Sequence, residues 1–223
     1  MIWRFFGKLR KLWMVLLLAI VGSAYAGSYE DFFNAVVQDD SIQVENLLVR
    51  GFDANTINPA GQTGLHLALW EPSPKSASIL IGWQKTDANK LNAQGESPLM
   101  LAAIKGQADL AAKLIAKKAD VNKTGWTPLH YAASAGQVEI INLLLENSAY
   151  IDAESPNNTT PLMMAARYGS IDSVKLLLEQ GADPNLKNQQ GLTALNFAEQ
   201  GKRPDAVDAI ASRTKKVKSP GKW

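Results

Sequence analysis

A short pattern recurs along this chain at nearly constant spacing, and few folds can accommodate it. Its fullest copy is Thr127-Pro128-Leu129-His130-Tyr131-Ala132-Ala133. Related copies begin at Thr63, Ser97, Thr160 and Thr193, so the leading hydroxyl residues stand 34, 30, 33 and 33 residues apart. A second block follows each opener, as in Val138-Glu139-Ile140-Ile141-Asn142-Leu143-Leu144-Leu145 and Ile171-Asp172-Ser173-Val174-Lys175-Leu176-Leu177-Leu178. A third closes the units: Gly51-Phe52-Asp53-Ala54-Asn55, Ala119-Asp120-Val121-Asn122 and Gly181-Ala182-Asp183-Pro184-Asn185. Such a period marks a stack of small units, none of which can bury its apolar face alone.

Local chemistry predicts two helices per unit. A Thr or Ser hydroxyl can cap the free N–H groups of a helix start, and Pro at the first helical position has no N–H to waste. The Leu-x-x-Ala-Ala spacing puts one large and two small residues on a single stripe, which lets neighbouring helices approach. Val138, Ile141, Leu144 and Leu145 follow the i, i+3, i+4 spacing of a buried face. Gly106, Gly136 and Gly169 stand where the first helix must end and are expected to be left-handed caps.

These blocks resemble the ankyrin repeat, a unit of about 33 residues that opens Thr-Pro-Leu-His-x-Ala-Ala. The resemblance covers nearly all of residues 29–212. It implies an all-α solenoid of helix–turn–helix units joined by β-hairpin fingers, about six units with their caps. The expected divisions are an N-terminal capping repeat (27–58), an irregular repeat (59–92), and repeats at 93–123, 124–154 and 155–187. A C-terminal capping repeat (188–213) and a basic, disordered tail (214–223) follow.

Departures from the pattern are specific. Asp120 to Thr127 is seven residues, where Asp53 to Thr63, Asp87 to Ser97 and Asp183 to Thr193 are ten, so one finger is three residues short. Pro72 and Pro74 predict an irregular connection in the second unit. Gly64 stands in the opener's Pro position, and Asn158 in a finger's Gly position, where Asn tolerates left-handed backbone.

Residues 1–26 read as a cleaved secretory signal. Arg4, Lys8, Arg10 and Lys11 precede the ten-residue apolar run Leu12–Val21, and Ala24-Tyr25-Ala26 supplies the small–x–small cut site. The run is half of the about 20 residues a membrane span needs. The mature product is therefore expected to be exported without a stable span, as a monomer. The Gram-negative periplasm is favoured, with the extracellular space as the alternative: Ala24-Tyr25-Ala26 suits a bacterial signal peptidase, the chain has no Cys, and possible glycosylation acceptors at Asn122, Asn157 and Asn158 weigh against a eukaryotic secretory route.

Charge and residue census narrow the function. Of 23 basic residues, four lie in 1–26 and five in 213–223, which leaves 14 against 21 acidic ones and a net of −7 over 27–212. An acidic body argues against a nucleic-acid partner. Zero Cys removes thiolate catalysis and Cys-based zinc, and the two His, His66 and His130, both occupy the opener's fourth position, where an imidazole bridges turns. No nucleophile, phosphate-loop or metal motif is present. The chain reads as a non-enzyme with no cofactor and no metal.

A surface for a protein partner remains, and the resemblance places it on finger tips and exposed inner-helix positions. Trp126 occupies a finger, and Trp70, Ile104, Lys105, Arg167 and Tyr168 follow the small-residue pairs. Glu96 precedes an opener. Aromatic and Arg side chains in such positions have the composition of an interaction hot spot. Trp126 has a second reading, packing over the short finger to shield the Leu129 layer. Arg167 and Tyr168 could instead be solvated. The tail is a solvated end or an electrostatic arm for an acidic partner or surface. Two further roles are an accessory factor in periplasmic peroxide and catalase defence, implied by resemblance to exported bacterial ankyrin proteins, and a secreted effector acting on a host protein. Amino-terminal sequencing of the protein recovered from its own cell is expected to begin at Gly27; a product that retains the apolar run would overturn cleavage.

Overall fold

The structure is a computed structural model that describes residues 27–217. Residues 1–26, read above as an export signal, and residues 218–223 lie outside the described residues. Twelve helices are described, in six consecutive pairs. They are α1 (27–37) with α2 (Ser41–Val49), α3 (Gly64–Trp70) with α4 (Pro74–Gly82), and α5 (Pro98–Ile104) with α6 (Ala108–Ala116). Then come α7 (Pro128–Ala135) with α8 (Val138–Glu146), α9 (Pro161–Tyr168) with α10 (Ile171–Glu179), and α11 (Ala194–Gln200) with α12 (Pro204–Val217). The first helices from α3 to α11 pack on one another as an inner layer, and the second helices form an outer layer. None of the described helices is long and apolar enough to cross a membrane.

The opener folds as its chemistry demands. Thr63, Ser97, Thr127 and Thr160 each accept the N–H of the third helical residue. Ala68, Ala102, Ala103, Ala132, Ala133, Ala165 and Ala166 are fully buried between inner helices. The expected glycine caps divide. Gly106 and Gly136 are left-handed, with φ of 73° and 71°. Gly169 is not; its backbone is extended, with φ −78°. Glycine is needed there because a Cβ would fall on the Ala133 carbonyl oxygen and within 2.9 Å of Ala165 Cα.

The fingers carry no strand ladder, which corrects the expected β-hairpins. Among the described residues only the isolated bridge Ile57–Thr63 occurs. Each full finger is instead a tight turn closed by Asn58 N–H to Gln62 O, Asn92 N–H to Glu96 O, Ser155 N–H to Thr159 O, or Asn188 N–H to Leu192 O. The side chain of the same Asn or Ser also accepts the returning N–H, at 2.9 Å for Gln62, Glu96 and Leu192 and 3.0 Å for Thr159. In each five-residue turn the side chain takes the returning N–H that a ladder's second backbone bond would need. Asn158 is left-handed, with φ 58°.

At the finger base a row of bonds joins the units. Asn55 Oδ1 accepts the Asp87 N–H at 2.8 Å, Asn89 that of Asp120 at 2.7 Å, and Asn122 that of Tyr150 at 2.8 Å. The same three amides donate back to the Lys85, Lys118 and Ser148 carbonyls.

The departures have local causes. Gly64 replaces Pro because Phe32 lies against it; a Cβ there would sit 2.6 Å from the Phe32 ring. In the second unit α4 is a regular helix that starts at Pro74, reached through an extended Glu71 rather than a glycine turn. Asp39, with φ 53°, accepts the Ser76 N–H at 2.8 Å in place of a local cap. At the other end Arg203 donates to the Gly169 carbonyl and Arg213 to that of Leu178. The helix α12 runs on to Val217, so residues 214–217 are helical rather than part of a disordered tail.

The finger-base row changes at Asp152, which stands where Asn55, Asn89 and Asn122 stand. Its carboxylate accepts the Asp183 N–H at 3.1 Å but cannot donate to the equivalent carbonyl, that of Gly181. Burial pushes its carboxyl above the usual range, and the Asp183 carboxylate adds to the shift. Asp152→Asn is expected to raise unfolding free energy at neutral pH by about 1 kcal/mol, by restoring one hydrogen bond and removing a half-buried charge. Urea unfolding of both proteins checks it; equal or lower stability would refute it.

Candidate functional site

Between the opener's fourth position and the alanine pair stands a residue that is buried in α5 and α11 and partly exposed in α3, α7 and α9. In α7 that residue is Tyr131, and it organises the centre of the surface. Its hydroxyl donates to Glu96 Oε1 at 3.1 Å, reaching back across the short finger. Glu96 Oε2 accepts from Asn92 Nδ2 at 2.8 Å. Burial, the Glu96 charge and that hydrogen bond push the Tyr131 hydroxyl up to about 12, so it remains a donor at physiological pH. Ile104, Trp126, His130, Tyr131, Ser134 and Met164 line a shallow, mainly apolar depression of about 270 Å³.

Trp126 fits parts of both its sequence readings. Its ring meets His130 edge-on, with centroids 5.2 Å apart, and it also lines the depression. Both histidines act as bridges. The Thr63 N–H donates to His66 Nδ1 at 3.3 Å and the Thr127 N–H to His130 Nδ1 at 3.2 Å. A backbone N–H can only donate, so Nδ1 accepts and Nε2 carries the proton. Nε2 then donates to the Glu96 carbonyl from His66 at 3.2 Å and to the Thr159 carbonyl from His130 at 2.8 Å. Met100 and Met163 sulfur atoms accept the corresponding N–H in two other units.

The remaining sequence candidates form two separate pairs. Lys105 Nζ lies 3.8 Å over the ring of Trp70, which is 47% exposed. Arg167 lies 5.2 Å from the centroid of Tyr168, itself exposed, and donates to Gln200 at 3.0 Å. Arg167 and Tyr168 do not line the depression: Arg167 turns to Gln200 of α11, and Met164 is the residue of α9 that reaches the depression. Tyr131, Ser134 and Met164 were not singled out from sequence. Their signal was the variable position inside the opener, where Tyr131 and Met164 interrupt a run of Leu67 and Leu101. Among the described residues no three His, Cys, Asp or Glu side chains gather as metal ligands would.

Burial pushes the His130 imidazole down to about 4, and it lowers His66 in the same direction. The unfolded chain, with His near 6.5, therefore takes up the proton first as pH falls. The contribution is complete above pH 6.5 and is lost as pH drops toward about 4, amounting to about 3 kcal/mol for His130. His130→Met, the residue used at Met100 and Met163, should flatten the stability profile between those pH values. Urea titrations of both proteins at pH 7, 5.5 and 4.5 test this; parallel profiles would refute it.

Comparison with known proteins gives consistent matches. A family model described as ankyrin repeats (three copies) matches residues 65–155 and 149–220. Human neurogenic locus notch homolog protein 2 is 36% identical over 113 residues, which are 49% of this chain and 5% of that protein. The putative palmitoyltransferase ZDHHC13 of Danio rerio is 34% identical over 129 residues, 55% of this chain and 20% of that protein. The chain thus corresponds to a small fraction of these relatives' length. Among solved structures, a chain from the complex of the Bd0816 predatory endopeptidase from Bdellovibrio bacteriovorus with immunity protein Bd3460 superposes with a TM-score of 0.70 and 28% identity. That match covers 82% of this chain and 97% of the other.

Proposed function

From a chain that belongs to the ankyrin-repeat family, we propose a function by binding: an exported, non-enzymatic module that holds a protein partner against its inner helices and finger tips. The observation that carries this reading is the central surface. Trp126, Tyr131, Ile104 and Met164 offer a partly open apolar depression beside a carboxylate that two neutral donors hold in place. Trp70–Lys105 and Arg167–Tyr168 flank it on neighbouring units. Such side chains can anchor a partner at low entropic cost because the stack fixes them beforehand.

Export rests on the character of residues 1–26. A finer reading of the partner is favoured by the structural neighbour, which comes from a complex of an endopeptidase with an immunity protein and matches this chain over most of both lengths. On that reading the partner is an enzyme of the same compartment, which this chain occludes.

Crosslinked capture from an envelope extract tests the proposal, comparing the native protein with a Trp126/Arg167/Tyr168 triple-Ala variant. A partner caught by the native protein and lost from a variant of unchanged melting temperature is the expected result. No specific partner, or equal capture by both, would overturn it. Where the captured protein is a hydrolase, its activity should fall on adding this chain.

A further inference from the structure

The aromatic side chains of this face differ in how the chain itself treats them. Trp70 carries Lys105, at 3.8 Å from its ring centroid, and Tyr168 has Arg167 at 5.2 Å. Among the described residues no cation of the chain lies over Trp126 or Tyr131. Trp126 meets the neutral His130 edge-on, and Tyr131 donates to a carboxylate at the rim of the depression, that of Glu96. Each Glu96 oxygen accepts one bond from a neutral donor and keeps a further lone pair for another donor. The one ion pair among the described residues is Arg203–Asp205, so no cation of the chain pairs with the Glu96 carboxylate. Residues 27–212 carry a net charge of −7, so the surrounding field also favours a cation.

We propose that this depression takes an arginine side chain of the protein partner. The inference rests on the binding reading above and names the chemistry of its anchor. The guanidinium sits at Glu96, whose free lone pairs suit its forked donors. The alkyl stem lies along Ile104 and Met164, and the ring faces of Trp126 and Tyr131 add a cation–π contribution. Lysine fits less well, because a single ammonium cannot engage both carboxylate oxygens in the same planar geometry.

A phage-displayed random peptide library, selected on the purified full-length protein, supplies the probe. Arginine should be enriched in the selected peptides. The best peptide is then made synthetically, with its arginine and with citrulline, which keeps the shape and removes the charge. Fluorescence polarisation should show about tenfold weaker binding for citrulline, and about tenfold for Glu96→Gln with the arginine peptide. The two changes together should cost little more than either alone. Trp126→Leu, which leaves Glu96 untouched, should weaken both peptides. Melting curves confirm that each variant is folded. Selected peptides without arginine, or an arginine peptide indifferent to Glu96→Gln, would overturn the anchor while leaving partner binding intact. A library that yields no binder also overturns the anchor, and the capture experiment then decides separately whether the face binds protein.

Discussion

The paired alanines of the inner helices set the distance at which each unit meets the next. Ala102 and Ala103, Ala132 and Ala133, and Ala165 and Ala166 are fully buried in that contact. Close approach gains dispersion contact along the whole layer. It also leaves no room for side chains where the inner helices end. A Cβ at Gly136 would lie 2.7 Å from the Ser170 N, and one at Gly201 2.7 Å from the Arg167 carbonyl oxygen. Gly169 shows that these glycines answer to spacing as much as to backbone handedness, because its φ is one any residue can adopt.

Bringing units this close buries polar groups, and the chain satisfies them across units. The histidines and finger-base asparagines each bond within their own unit or to a backbone group of the next. A unit removed from the stack would lose those partners as well as its apolar cover, which is why stability in such arrays is shared between neighbours. The rows also explain where the surface gains character. The finger before α7 lacks the three residues that would complete an Asn-closed turn. Trp126 therefore comes down on His130, and Tyr131 bonds back to Glu96 on the preceding finger.

Repeat architecture, caps and helix positions were legible because they follow from residue types at fixed spacing. The hydroxyl–Pro opener dictates a helix start whatever surrounds it, and Asn158 was readable as a left-handed position for the same reason. What escaped the sequence depends on contacts between units. Absence of ladders in the fingers follows from side chains of Asn58, Asn92 and Asn188 taking the returning N–H groups, which no periodicity reports. The extended backbone of Gly169 reflects the position of Ala133, one unit away. At the site, Trp126 and Ile104 could be named from their positions, but Tyr131 is important through Glu96, 35 residues earlier. That Arg167 bonds to Gln200 could not be read from sequence, because it depends on how α9 lies against α11.

Imperfections in the stack are unevenly placed, and that bears on how it works. Ser73, Ser76 and Thr86 in the second unit have buried hydroxyls without hydrogen-bond partners, and Gln107 Oε1 in the third is a fourth such atom. Each such group costs stability where it lies. The N-terminal cap also leaves Ile42 and Val49 about 70% exposed. Local opening in a linear array starts where joints are weakest, so the second unit and its cap form the loosely held end. The Trp126 depression sits over α5, α7 and α9, where alanine pairs are fully buried and His130 bridges to the next finger. The second unit nevertheless reaches the face, because Asn92 and His66 both bond to Glu96, so the face depends on that joint staying closed. A surface built over closely packed inner helices keeps its aromatic anchors ordered before any partner arrives, and that order is what turns a modest apolar depression into a specific one.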